Sequence, residues 1–169
     1  MNHSEKSSTL EQQPIEHQLL LEWWENLDQD RGDRAALRRA ATVEQVMFSP
    51  GFHRLWRKLR GTRWSRPDSI ALIAALAARV KKLDSSNSFA AQLGSPPPGR
   101  KKVALSGLRF RRLLQASQHN ELLQACSRAI AICDGRVNLI SLAKDVYWWT
   151  DQTKRDWAFD YYDANPSAD

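Results

Sequence analysis

Apolar residues recur at intervals of three and four along almost the whole chain, and no stretch alternates long enough to make a sustained strand. Leu20, Trp23, Trp24 and Leu27 form the first such stripe. In "SPGFHRLWRKLRG", Ser49 is placed to cap a helix, Pro50 suits its first position and Gly61 ends it. Phe52, Leu55, Trp56 and Leu59 then face inward, leaving Arg54, Arg57 and Lys58 outside. Asp33 suits the N-cap of a short helix running through Arg39. "RPDSIALIAALAARVKKL" reads as a longer, Ala-rich helix with Ile73, Leu76, Val80 and Leu83 along one side.

The period lapses in "DSSNSFAAQLGSPPPGRKKVALSG", where Ser, Gly, three prolines and a basic cluster mark a loop. Phe89, Ala90 and Leu93 can still form one turn docked on a neighbour. Beyond it, Phe110, Leu113 and Leu114 point one way while Arg109, Arg111 and Arg112 occupy the opposite arc. Leu122, Leu123, Cys126, Ala129, Ile130 and Cys133 form a further stripe that Gly135 stops. Asn138 suits the cap of a helix carrying Leu139, Leu142, Ala143, Val146 and Trp149, and a last helix holds Trp157 and Tyr161. The expected fold is all-α, as two small helical bundles joined by a loop. The divisions are a disordered tail over 1–14, a bundle over 15–84, a linker loop over 85–105, a second bundle over 106–163 and a tail over 164–169.

A chain of 169 residues with 42% hydrophobic content and seven tryptophans can bury a modest core. Cys126 and Cys133 lie seven apart on one helical face, about 10 Å along the axis. That exceeds the roughly 7 Å Cα limit for a bridge, so reduced core thiols are expected, as suits a cytosolic protein. No apolar run has transmembrane length, and "MNHSEKSSTLEQQ" lacks a signal peptide's apolar segment. A cytoplasmic protein without membrane partners is expected.

Charge is unevenly placed. From Arg31 to Arg66 ten basic residues face two acidic ones, 10 − 2 = +8, and from Arg100 to Arg112 six basic residues face none. The first thirty residues carry seven acidic and one basic, the last twenty-five six acidic and two basic. The bland reading is that these arginines solvate the outer faces of amphipathic helices. Three features favour a polyanion instead. Arginine, whose planar fork suits phosphate, dominates the clusters. Acidic partners at helical spacing are nearly absent. The arrangement also occurs twice.

Chemistry of other kinds finds little support. His3, His17, His53 and His119 stand near no cysteine or paired carboxylate at metal-ligand spacing, and neither a Gly-rich phosphate loop nor G-x-S-x-G occurs. Asp156, Asp160 and Asp163 share a helical spacing but read as a solvated acidic face. The "RGD" at 31–33 carries no adhesion meaning inside a cell. No enzyme, metal or cofactor is expected. Trp23, Trp24, Trp148 and Trp149 read as core residues on amphipathic helices, and Trp56 belongs to an apolar stripe. Trp64, between Arg63 and Arg66, is open to packing or to base stacking, with packing ahead.

"LLLEWWENL", "DRGDRAALRRA", "SGLRFRRLLQA" and "AKDVYWWTDQTKRDWAFDYY", in this order over about residues 15–163, resemble the CasB family. These are the small subunits of Cascade, the type I-E CRISPR surveillance complex. The resemblance implies two helical bundles without catalysis. It implies a pair of copies along the complex, touching its backbone and large subunits, the guide RNA, and the target and displaced DNA strands. Exchange of a DNA duplex for an RNA–DNA hybrid is nearly balanced, so sequence-blind phosphate contacts can decide whether the opened state persists. By motif position, Arg34, Arg38 and Arg39 are the implied N-terminal contacts, and Arg109, Arg111, Arg112 and Arg128 the C-terminal ones. Lys144, where the family tends to carry a basic residue before its aromatic pair, is a further implied contact. Thr150 and Asp151 separate that pair from Lys154 and Arg155, whereas some relatives resume positive charge at once. "SPPPGRKK", with Arg100, Lys101 and Lys102, looks particular to this chain, as a flexible tether or nothing.

Two other readings compete. A helix-turn-helix regulator needs a base-reading helix, but "LRFRRLLQA" is leucine-rich and shows no tight turn to a supporting helix. A protein-interaction adaptor would use the same charges against an acidic partner.

Overall fold

The computed structural model describes residues 13–168; most of the tail expected over 1–14 lies outside them. The elements are α1 (Ile15–Asn26), a 3-10 turn (Leu27–Gln29), α2 (Arg31–Arg39), α3 (Val43–Val46), α4 (Pro50–Leu59), α5 (Pro67–Ala77), β1 (Lys82–Leu83), α6 (Phe89–Leu93), α7 (Gly107–Leu114), α8 (His119–Ile132), β2 (Arg136–Val137), α9 (Leu139–Tyr147) and α10 (Asp151–Ala164). The all-α reading holds, with α6 falling inside the segment expected as a loop.

Short polar side chains start the helices. Ser49, Ser88, Ser106, Asn138 and Thr150 each accept the backbone N–H three residues on, at 3.0–3.3 Å. Pro50 and Pro67 occupy first-turn positions, where a missing N–H removes no helical bond. One expected cap moves. Asp30, not Asp33, caps α2, accepting from the Asp33 amide at 3.1 Å. The Asp33 carboxylate instead pairs with Arg54 on α4, a tertiary contact that sequence spacing does not show.

The centre is α5, whose residues from Ser69 to Ala77 are all buried. It packs against α3 and α4 from the first half and α8 and α9 from the second. Its alanines permit this close approach on every side, and each buried Leu or Ile contributes about 1.5–3 kcal/mol. The helix expected to continue to Leu83 therefore stops at Ala77. Lys81 and Lys82 need water, and the chain turns out to a short parallel ladder, Lys82 against Arg136 and Leu83 against Val137. Lys81 donates its backbone N–H to Gly135 at 2.8 Å, and Asp84 to Val137 at 3.0 Å. Gly135 is required there. Its φ is +76°, and a Cβ would sit 2.8 Å from Lys81 Cγ.

Indole N–H groups tie elements together: Trp23 to the Gly51 carbonyl (2.9 Å), Trp24 to Ala77 (3.0 Å), Trp149 to Ala116 (2.7 Å) and Trp157 to the Asp145 carboxylate (2.7 Å). Trp64 is buried and stacks on Tyr147 with centroids 5.3 Å apart, so packing is its role. Trp148 departs from the core reading, with 48% of its surface exposed. Cys126 and Cys133 are unbridged and buried. Burial pushes their thiols up to about 12 and about 11, which suits inert core residues.

Candidate nucleic-acid interface

On α7, Phe110 and Leu113 are buried, with Phe110 stacked 3.9 Å from the Tyr161 ring. Helical spacing therefore drives Arg109 and Arg112 outward. They meet Arg128 of α8 around a groove of about 570 Å³ with an apolar floor of Leu105, Leu113, Ala125, Ala131 and Ile132. None of the three pairs with a carboxylate among the described residues. Arg111 leans the other way, donating to the Tyr162 hydroxyl at 3.4 Å.

On α2, buried Leu37 fixes the helix and leaves Arg38 and Arg39 exposed. Both lack a described carboxylate partner. Arg34 is different. Its Nε donates to the Ala78 carbonyl (3.2 Å), its Nη2 to the Val80 carbonyl and its Nη1 to Asp28, and it lies over the Trp24 ring at 6.0 Å. Its guanidinium thus caps the end of α5, and only 15% of the side chain is exposed.

Two basic residues outside the sequence reading matter to this surface. Arg79, at the end of α5, reaches the carbonyls of Leu37 (3.3 Å), Arg38 (2.8 Å) and Ala40 (3.2 Å), closing the C-terminus of α2. Burial, and secondarily the Arg38 charge, pushes its pKa down from the ordinary arginine value; arginine nonetheless stays protonated. Lys81 lines an open hollow of about 390 Å³ with Arg31, Arg34, Arg38 and Asp28. The stem of Lys81 lies against Gly135. Next to it, Asp134 pairs with Arg100 at 3.1 Å, and Arg100 also donates to the carbonyl of Ile132, which lines the α7–α8 groove. Neighbouring residues therefore connect the α2 hollow to the α7–α8 groove. Arg100, in the proline-rich segment, is docked on this path.

A third group surrounds α9 and α10. Lys144 is exposed, Lys154 lies 5.7 Å over the Trp149 ring, and exposed Arg155 donates to Gln152 at 3.1 Å. The bland reading describes other members of the first basic block. Arg54 pairs with Asp33, Lys58 with Glu22 at 3.2 Å, and Arg63 with Glu16 at 3.6 Å.

Among the described residues no three His, Cys, Asp or Glu side chains gather as a metal site, and no helix is long and apolar enough to cross a membrane. A tight connection does join α7 to α8, since only residues 115–118 separate them, contrary to the sequence reading. The N-terminus of α8 is nevertheless occupied: Asn120 accepts from the Val43 amide at 2.9 Å and donates to Glu44 at 3.2 Å. That end cannot enter a DNA groove as a recognition helix without giving up its packing on α3.

Residues 33–162 match the family described as CRISPR-associated protein Cse2. No curated protein sequence matches the chain. By structure, the chain is similar to a chain in a crystal structure of E. coli Cascade bound to a PAM-containing double-stranded DNA target. The TM-score is 0.69 at 15% identity, over 87% of this chain and 94% of that one. At that identity the likeness speaks to the fold.

Proposed function

The chain belongs to the CRISPR-associated Cse2 family, also called CasB, and on that premise we propose that it is the non-catalytic small subunit of a type I-E Cascade complex. It works in the cytoplasm beside a second copy of itself, the backbone subunits and the large subunit. Its arginine-rich faces contact guide RNA and target DNA and hold the displaced strand, stabilising the R-loop in antiviral defence. The supporting observation is the convergence of Arg109, Arg112 and Arg128 on one groove with no described carboxylate to neutralise them. Arg38, Arg39 and Lys81 extend the cationic surface, with Arg111, Lys144, Lys154 and Arg155 as further contacts. Arg34 serves this reading mainly by fixing α2 against α5.

Phosphate contacts of this kind need no pocket and carry no base preference. They release counterions, so binding weakens steeply with salt. The test is a salt titration of duplex binding by the full chain and by its R109A/R112A/R128A variant. Three lost contacts flatten the log–log slope by about 2 to 3, and R-loops on Cascade assembled with the variant dissociate faster. An unchanged slope removes the groove from the interface. Palindrome selection from random duplexes would favour a sequence-reading regulator instead.

A further inference from the structure

We propose that Trp148 and Arg66 form a stacking site for one unstacked nucleobase of a single strand, an inference that rests on the nucleic-acid-binding reading above. Other tryptophans of the chain are placed as structural residues. The indole N–H groups of Trp23, Trp24, Trp149 and Trp157 have acceptors, and Trp64 is buried against Tyr147. Trp148 exposes 48% of its surface, and its N–H has no partner among the described residues. A large ring left half in water gains little from folding alone.

The ring is nevertheless held firmly. The Trp148 carbonyl accepts from the Thr150 amide (2.8 Å) and the Thr153 hydroxyl (2.6 Å). Its edge contacts Tyr147 with centroids 4.8 Å apart. The Tyr147 hydroxyl is itself pinned by the amides of Ser65 (2.8 Å) and Arg66 (3.1 Å). The Arg66 guanidinium lies 4.7 Å from the Trp148 centroid and 5.1 Å from that of Tyr147. Beside this pair opens a recess of about 220 Å³, whose lining includes Ser117, His119, Trp149 and Thr150. Aromatic ring, planar cation and polar edge together suit a base, which offers a π-face and hydrogen-bonding edges.

The charge around the ring selects a nucleotide over an apolar peptide side chain. Lys144 lies one helical turn before Trp148, and Lys154 sits over the adjacent Trp149. Asp145 and Asp151 are the acidic neighbours in sequence. The Asp145 carboxylate is taken by the Trp157 N–H at 2.7 Å, and Arg66, which donates to the Tyr147 carbonyl at 3.5 Å, has no carboxylate partner among the described residues. A base on Trp148 thus brings its flanking phosphates among cations. A duplex, whose bases remain stacked on one another, offers phosphates but no face.

The experiment measures the full chain and its W148A and W148F variants on an oligothymidine strand, the same strand with abasic sites, and a duplex. W148A is expected to weaken oligothymidine binding about 5- to 140-fold, the range of one lost base–aromatic stack. The salt slope stays, duplex affinity stays within about twofold, and W148F retains most of the affinity. The abasic strand lowers wild-type affinity and erases the difference between wild type and W148A. Equal loss on strand and duplex, or no loss on the strand, overturns the stacking site. So does an intact strand affinity accompanied by failure of W148A to join the other Cascade subunits, which would make Trp148 a protein contact. If the wild type binds neither strand nor duplex at low salt, the nucleic-acid reading itself falls.

Discussion

The guanidinium of Arg79 donates to the main-chain carbonyl of Arg38 at 2.8 Å, so one arginine holds the helix end from which another reaches into solvent. Replacing Arg79 by Met keeps the stem and removes four donations, to Leu37, Arg38, Ala40 and Ala75. Bonds to a charged donor are worth about 1.5–3 kcal/mol each, but water reaches part of this site. A net loss of about 2–4 kcal/mol is expected, read by urea denaturation, with weaker duplex binding although no exposed cation was changed.

Arg34 and Arg38 separate by experiment. Arg34→Ala removes the cap on the Ala78 and Val80 carbonyls and is expected to lower stability by about 1–3 kcal/mol. The pair R38A/R39A removes exposed, unpaired cations, leaving the melting temperature close to wild type while flattening the salt dependence of binding by about 1 to 2. A stable R34A protein with a flattened slope would reverse these roles.

The buried carboxylate of Glu16 joins α1 to the loop after α4, accepting from the Arg63 amide at 3.1 Å. Burial alone raises its pKa. The amides of Glu16 and Arg63 and the Arg63 charge outweigh that, and the group titrates below the usual glutamate range. Its contribution is therefore fully present above the unfolded value near pH 4.3 and is lost as pH falls through the lower folded value. Glu16→Gln should flatten the acid side of a stability–pH curve, and Glu16→Ala should cost about 1–3 kcal/mol at pH 7.

Asp145 behaves oppositely. Burial raises its pKa, helped by Asp156 and Asp160, while the Trp157 N–H and Lys144 pull it back. The folded protein holds this proton more tightly than the unfolded chain. Stability from this group thus grows as pH falls through the raised value and levels off below the unfolded one near 3.9. Asp145→Asn keeps an oxygen for Trp157 and removes the buried charge, so an equal or higher melting temperature at pH 7 is expected. Trp157→Phe should instead destabilise by about 2–4 kcal/mol, since it orphans the carboxylate and opens space in the core.

Much of the fold was legible because the cues are local. Ser49, Pro50 and Asn138 act where spacing put them, and Phe110 and Leu113 bury so that Arg109 and Arg112 emerge. What escaped depends on distant partners. Nothing near Arg34 announces the carbonyl of Val80, 46 residues on, and nothing near Asp33 announces Arg54. The periodicity carries α5 on to Leu83, whereas the helix ends at Ala77, because a two-residue ladder is too short to show alternation in the sequence. Trp148 and Trp149 are neighbours of identical chemistry; distant partners distinguish them, the Ala116 carbonyl and the Trp157 ring meeting Trp149 while Arg66 lies over Trp148.

The all-round enclosure of α5 bears on how the chain emerges from a ribosome. Its neighbours α8 and α9 are made some fifty to seventy residues later, so a nascent chain ending near residue 115 presents an Ala- and Leu-rich rod with half its cover missing. Synthesis delivers residues one at a time while burial of this rod waits for α9, and in that interval chaperones have an apolar surface to hold.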